Sequence, residues 1–414
     1  MDGIEIPCHF LCPISLQLMR DPVTLSTGIT YDRESIEQWL FSCKNMVCPV
    51  TKQALHELDL TPNHTLRRLI QAWCTLNASH GVERIPTPKT PIDKTRIAKL
   101  IKDAKKFPEM QVKCLKTLRS ITLEGERNQS CLEAAGAIEF LVSIIKSYDS
   151  SLLLETESNQ GSEVMKASDE ALSILYHIKV SESCLKSIVS NDNEFVESLV
   201  KILKNGSYHS RAYATLLLKQ VFELADPVQL ISLTPDFFSE IVRTLRDQIS
   251  QQASKAALKL LVELCPWGRN RIKAVEGGAV FILVEFLLES SDKRASELAL
   301  VVLDQLCGCA EGRAEFLNHG AGLAMVSKKI FRVSHAASER AVRILSSICR
   351  FSATPRVVQE MLQVGVVAKL CLVVQLDNSY KSKEKAREML KLHARVWRNH
   401  ACIPSHLLSS YPSS

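Results

Sequence analysis

The stretch FLCPISLQLMRDPV (Phe10 to Val23), running on into STGITYDRESIEQWL (Ser26 to Leu40), decides how the N-terminal part of this chain is read. Two Cys-Pro pairs, Cys12-Pro13 and Cys48-Pro49, sit in loops and are followed by Ile14 and Leu16 or by Val50. Proline holds φ near one value and removes a donor, so both loops are stiff and shape-defining. Between them Val23 to Leu25 and Ile29 to Tyr31 read as short strands around the turn Ser26-Thr27-Gly28. Asp32 is the expected N-cap of a helix that turns Ile36 and Leu40 inward and leaves Trp39 exposed at their edge. A second helix follows Pro62-Asn63, with Leu66, Leu69, Ile70 and Trp73 at helical spacing. The pattern is strand, strand, helix, loop, helix, with an apolar outer rim.

Four blocks in order, CPISLQLMRDPV, TGITYDRESIEQWL, CPVTKQAL (Cys48 to Leu55) and LTPNHTLRRLIQAWC (Leu60 to Cys74), together resemble the U-box of ubiquitin ligases. A U-box is a small α+β, metal-free, RING-like domain, assigned here to residues 1–80. The resemblance implies that Ile14, Leu16, Trp39 and Pro49 meet a ubiquitin-conjugating enzyme, and that Lys52 meets both that enzyme and ubiquitin. It implies structural duties for Cys12, Pro13, Asp21, Pro22, Gly28, Tyr31, Cys48, Pro62 and Asn63. Salt bridges and hydrogen bonds are expected where a RING holds zinc, with Asp21, Arg33 and Glu37 available but not paired by sequence alone.

A zinc site is the sharpest competing reading, because Cys8, His9, Cys12, Cys43, Cys48, His56, His64, Cys74 and His80 would suffice for two ions. Structural zinc sites commonly use close C-x2-C pairs, and no such pair occurs in this chain. No metal and no cofactor is expected. A covalent ubiquitin thioester would need an exposed thiol of low pKa, for which Cys43 is the one candidate. U-box ligases form no such intermediate, so no residue of this chain is expected to be catalytic in that sense. Walker A, H-E-x-x-H and G-x-S-x-G signatures are absent.

The chain has 414 residues, 46% hydrophobic and 23% charged, a globular balance that excludes disorder throughout. Its start, MDGIEIP, has no basic and apolar leader, and no apolar run reaches the ~18 residues of a membrane span. Fourteen cysteines without a leader read as reduced thiols of a cytoplasmic or nuclear protein, with Cys114, Cys265, Cys307, Cys349 and Cys371 as small buried hydrophobes. The net charge of +6 shows no compact Lys/Arg cluster, so no nucleic-acid partner is expected.

Residues 81–92 contain Pro86, Pro88 and Pro91 and read as a semi-rigid linker. Beyond it a small residue recurs at Cys114, Ala171, Ala214, Ala257, Ala299, Ala341 and Ala386, separated by 57, 43, 43, 42, 42 and 45. Leucine stands four positions after each, and an apolar residue seven after all but the last, which has His393. A period of this length with several helices per unit matches armadillo or HEAT solenoids. The turns around Gly136 and Gly278, with looser copies at Gly320 and Gly365, resemble armadillo repeats specifically. The expectation is a mostly α chain: a U-box, then an α-solenoid of about seven repeats over 93–402, a loop insertion at 149–166, and a flexible tail at 403–414.

The whole order resembles the plant U-box/armadillo ubiquitin-protein ligases. It implies a ligase that brings a charged conjugating enzyme to a substrate protein held in the armadillo groove, with stress or immune signalling as the setting. The alternative is a non-catalytic armadillo adaptor whose U-box is inactive.

Overall fold

Val23 pairs antiparallel with Tyr31 on one side and with Pro62 on the other, and these pairings fix the small sheet. In the computed structural model, which describes residues 6–42, 45–55, 59–78, 82–83, 85, 94–148, 159–178, 180–191, 194–376 and 379–398, the sheet has the order β2-β1-β3. Its strands are β1 (Pro22–Thr24), β2 (Thr30–Asp32) and β3 (Thr61–Pro62). The first two are displaced by about one residue from the expected strands, because Pro22, which has no N–H to give, opens β1 opposite Asp32. Gly28 sits at φ +81, the left-handed turn position between them.

Helix α1 (Arg33–Glu37) is short and passes into a π-helical turn, Gln38–Ser42. Asp32 stands at its N-cap, but its carboxylate does not cap the helix. Oδ1 instead accepts the backbone N–H groups of Arg20 at 2.7 Å and Asp21 at 2.9 Å, tying the first loop to β2. A side-chain cap is found instead at α2 (His64–Leu76), where Asn63 Oδ1 accepts Leu66 N–H at 3.0 Å. Ile70 and Cys74 are the buried residues of α2, with Leu66 and Trp73 half-buried beside them. Leu69, expected to face inward, is 53% exposed, because the core it would enter is already filled by Ile36, Leu40 and Ile70.

Two compact units divide the chain, residues 1–140 with 177–179 and residues 141–176 with 180–414. The first unit holds the sheet domain and the first solenoid helices, α3 (Lys94–Lys106), α4 (Pro108–Glu124) and α5 (Glu126–Ala134), which pack on one another. Most of the linker expected at 81–92 lies outside the described residues. Val82 and Ile85 within it pack against the sheet-domain core, and Gln71 Nε2 reaches the Ile85 carbonyl at 3.5 Å.

In the second unit the chain repeats three-helix units. One is Gly268–Glu276, Ala279–Glu289 and Lys293–Leu306; the next is Ala310–Asn318, Gly322–Lys329 and His335–Phe351. The third helices stack on each other from Tyr208–Phe222 through Gln251–Leu264 to Tyr380–Leu392. Ala171, Ala214, Ala257, Ala299, Ala341 and Ala386 are each 0% exposed, which lets those helices approach closely. The leucine four positions after each is just as enclosed. Gly136, Gly278 and Gly365 all adopt positive φ at the turn into the second helix. Gly320 does not, so its copy of the turn needs no glycine on conformational grounds.

Residues 149–158 of the expected insertion lie outside the described residues, as does the expected tail at 403–414. From Asn159 onward the chain is helical (Asn159–His177), so a loop over the whole of 149–166 is not found. His393, the break in the apolar column, caps the last stacked helix and packs its ring 4.9 Å from that of Trp397. Trp397 is fully buried and donates its indole N–H to the Val358 carbonyl at 3.0 Å, closing the end of the stack. Among the described residues no single helix is long and apolar enough to cross a membrane.

Candidate functional site

The two Cys-Pro loops have the same backbone. In the first, Cys12 N–H donates to Gln17 O, Leu16 N–H to Cys12 O and Met19 N–H to Phe10 O, at 2.8, 2.8 and 2.9 Å. In the second, Cys48 N–H donates to Gln53 O, Lys52 N–H to Cys48 O and Leu55 N–H to Met46 O, at 2.8, 2.9 and 2.9 Å. Leu16 and Lys52 occupy the same place and share positive φ, 55 and 60, unusual for residues with a Cβ and costing about 1–2 kcal/mol each. The signal for this likeness is visible in the chain as CPISLQ and CPVTKQ, one six-residue pattern used twice. Reading the two Cys-Pro pairs singly misses it.

Both loops are anchored through sulfur to consecutive residues of β2. Asp32 N–H points at Cys12 Sγ at 3.3 Å. Tyr31, fully buried, places its hydroxyl 3.1 Å from Cys48 Sγ and accepts Val50 N–H at 3.3 Å, while Thr27 donates to the same sulfur at 3.4 Å. Burial pushes the Cys48 thiol up, but the hydroxyls of Thr27, Thr51 and Tyr31 and the Thr51 amide outweigh it and bring it down to about 6. Cys12 moves down in the same way, burial being outweighed by the amides of Ser15, Asp32 and Ile14 and the Ser15 hydroxyl. Burial, with the Cys48 contact, drives the Tyr31 phenol upward. Among the described residues no three His, Cys, Asp or Glu side chains gather as a metal would require. Cys43 and His56 lie outside the described residues.

Ion pairs hold the remaining edge. Arg33 Nε meets Asp21 Oδ2 at 2.5 Å with both side chains largely buried, and Arg33 Nη1 lies 3.6 Å from Glu37. Asn63 joins the sheet to α2, its N–H donating to Pro22 O at 2.8 Å and its amide reaching Thr30 Oγ1 at 3.4 Å. Pro22 is buried and Pro62 half-buried in the sheet, whereas Pro13 and Gly28 are exposed.

Each loop presents an apolar side chain outward among polar neighbours. Leu16 is 73% and Val50 51% exposed, while Ile14 and Pro49 are half-buried. Trp39 is half-buried rather than free: its ring packs against the core and its indole N–H donates to Val47 O at 2.9 Å. The exposed Lys52 places its ammonium 5.8 Å from the Trp39 ring centroid, within cation–π range. Trp39, Lys52 and the second loop are thus joined by direct contacts. Ile14 and Leu16 belong to the first loop, which shares with the second its anchorage on β2.

In the repeats, polar rungs join neighbouring third helices. Gln305 Nε2 donates to Val262 O at 3.1 Å, and Ser347 Oγ donates to Cys307 O at 2.8 Å. Asp304 accepts from both Arg340 and Arg343, each at 3.0 Å.

Comparison with known proteins agrees with this architecture. The family profile described as "U-box domain" matches residues 6–79, and "Plant U-box protein ARM repeat region" matches residues 96–413. The chain belongs to the plant U-box proteins with armadillo repeats. It is 58% identical to E3 ubiquitin-protein ligase PUB23 of Arabidopsis thaliana, over 99% of this chain and 98% of that one. It is 57% identical to E3 ubiquitin-protein ligase PUB22 of the same plant, over 99% of each. Among solved structures, a chain from a study of the cadherin and beta-catenin interaction superposes with a TM-score of 0.55 at 14% identity, over 81% of this chain and 58% of that one. That last likeness concerns the solenoid fold alone.

Proposed function

We infer that this U-box protein is a ubiquitin-protein ligase that binds a conjugating enzyme through Ile14, Leu16, Trp39, Pro49 and Lys52. The observation that supports the reading is the pair of matched loops, with Leu16 and Val50 exposed on them and Trp39 clasped to the second by Val47 and Lys52. Full-length relation to two proteins named as E3 ligases supports it. Exposed apolar side chains on a stiff frame suit partner binding, since little entropy is lost in ordering them.

The chemistry belongs to the partner's thioester. A substrate lysine, having lost a proton, attacks the thioester carbonyl; the C–N bond forms, the C–S bond breaks, and the conjugating enzyme's thiolate leaves. The U-box contributes by restricting the charged enzyme to a reactive geometry, a proximity effect. No thiol of this chain takes part. The solenoid supplies the second contribution, holding a substrate protein along its stacked third helices and so raising its local concentration. A cytoplasmic or nuclear setting and a part in stress or immune signalling are carried over from the family only.

Autoubiquitination with purified activating enzyme, conjugating enzyme, ubiquitin and ATP tests the reading. Conjugates are expected for the full chain and for Cys43→Ser, but not for Trp39→Ala. No conjugates from folded protein across a panel of conjugating enzymes would leave the adaptor reading in its place.

A further inference from the structure

Helix α5 of the first repeat contacts the π-helical turn Gln38–Ser42, the turn on which Trp39 stands. Arg127 of α5 extends Nη1 to Glu37 Oε1 at 3.2 Å, and the two side chains are 29% and 26% exposed. Glu37 therefore lies between two guanidiniums, Arg127 on one side and Arg33 at 3.6 Å on the other. Through Arg33 the chain of contacts runs on to Asp21 and the first loop. Ile36 and Leu40 face the core. At about 100° per residue, Glu37 and Trp39 then flank that core stripe on opposite sides. The helix is held at one edge by the second loop, through Trp39, and at the other by the armadillo helix.

The π turn makes such a hold consequential. An extra residue in a helical turn gives weaker backbone bonding, and such bulges gather at functional sites. Here α1 has only five residues before the bulge, too few to be rigid alone. Val82 and Ile85, beyond the last U-box helix, lie against the U-box core.

We propose that α5 is a working part of the conjugating-enzyme surface, with Arg127 a positioning residue that fixes the Trp39-bearing turn through Glu37. This rests on the reading of Trp39 as a conjugating-enzyme contact. Its consequence is that the smallest fully active unit extends past the U-box into the first repeat, and that a charge at residue 127 tunes affinity for the conjugating enzyme.

The test uses the full chain and follows initial ubiquitination rate against conjugating-enzyme concentration for wild type, Arg127→Glu, Arg127→Lys and Trp39→Ala. Arg127→Glu is expected to raise the half-saturating concentration about fivefold, the size of one part-buried ion pair, with the maximal rate little changed. Arg127→Lys should restore most of the loss. Amide hydrogen exchange over Arg33–Ser42 should quicken in Arg127→Glu while that of the second unit stays as in wild type. If Trp39→Ala abolishes transfer but Arg127→Glu alters neither half-saturation nor exchange, the brace is wrong and the ligase surface stands. If Trp39→Ala transfers ubiquitin as wild type does, the surface reading falls and the brace with it.

Discussion

Cys48 of the U-box and Cys307 of the solenoid are both 0% exposed, yet their surroundings treat sulfur in opposite ways. Three hydroxyls and an amide turn toward Cys48 and bring its thiol down to about 6 after burial has pushed it up. Around Cys307 burial prevails, with Asp304 adding to it, and the thiol moves upward; Cys265 and Cys349 are pushed up to about 12 and Cys371 to about 11 by the same desolvation. The difference separates two ways of making a fold. The U-box is small and relies on a polar lattice of sulfur acceptors, the Arg33–Asp21 pair and the Asp32 carboxylate to hold its loops. The repeats rely on columns of enclosed Ala and Leu, each helix completing the core of its neighbour.

The contrast predicts where single substitutions act. Arg33→Ala leaves Asp21 largely buried beside an empty place and should cost the U-box about 3–5 kcal/mol. Exchange measured region by region should show the U-box opening while the third helices of the second unit remain protected. Equal loss in both would break the contrast. Leu303→Ala is the counterpart, an expected cost of about 3 kcal/mol from a cavity in a fully enclosed column. Its melting and exchange changes should appear in the repeats, with conjugating-enzyme affinity kept.

Trp39→Ala is smaller in stability and larger in function. Loss of a central aromatic anchor should weaken conjugating-enzyme binding by about 2 kcal/mol, roughly 30-fold. Because the ring is also packed and bonded to Val47, a fall in U-box melting temperature should accompany it. Titration of the enzyme against the variant at a temperature where it is folded separates the two effects.

The two regions should also differ in their response to pH. For Cys48 the folded thiol ionises near 6 and the unfolded one near 9, so the unfolded chain binds the extra proton between those values. The contribution of Cys48 to U-box stability should therefore be full above pH 9 and be lost as pH drops through 6. The solenoid thiols have the reverse sign: Cys265 and Cys349 stay protonated in the fold, and their contribution, full below pH 9, is lost as pH rises toward 12. Melting curves of the two regions between pH 6 and 10 should diverge, and Cys48→Ala should flatten the U-box curve.

Those same differences explain what could be read from the chain. The repeats were legible because one enclosed column recurs at 42 to 45 residues, so each copy corroborates the next. A second column is equally plain: Ser207, Ser250, Asp292, Ser334 and Ser379 cap the third helices at nearly the same interval. The U-box could be recognised as a whole, but its residues could not be assigned one by one. Asp32 looks like a cap by position, and only the folded loop shows the Arg20 and Asp21 amides competing for its carboxylate. Leu69 satisfies helical spacing yet finds no room. The π turn that carries Trp39 is announced by no periodicity in the sequence. Arg127, ninety residues from Glu37, carries no local signal at all.

The central claim, that the U-box surface activates a conjugating enzyme without a covalent step of its own, is tested most directly by single-turnover discharge. A conjugating enzyme preloaded with ubiquitin is mixed with free lysine and the full chain, and loss of the thioester is followed on gels run with and without reductant. Discharge should be faster with wild type and little accelerated by Trp39→Ala, with no reductant-sensitive ubiquitin adduct on this chain. A thioester adduct on this chain, or equal acceleration by the folded Trp39→Ala protein, would contradict it.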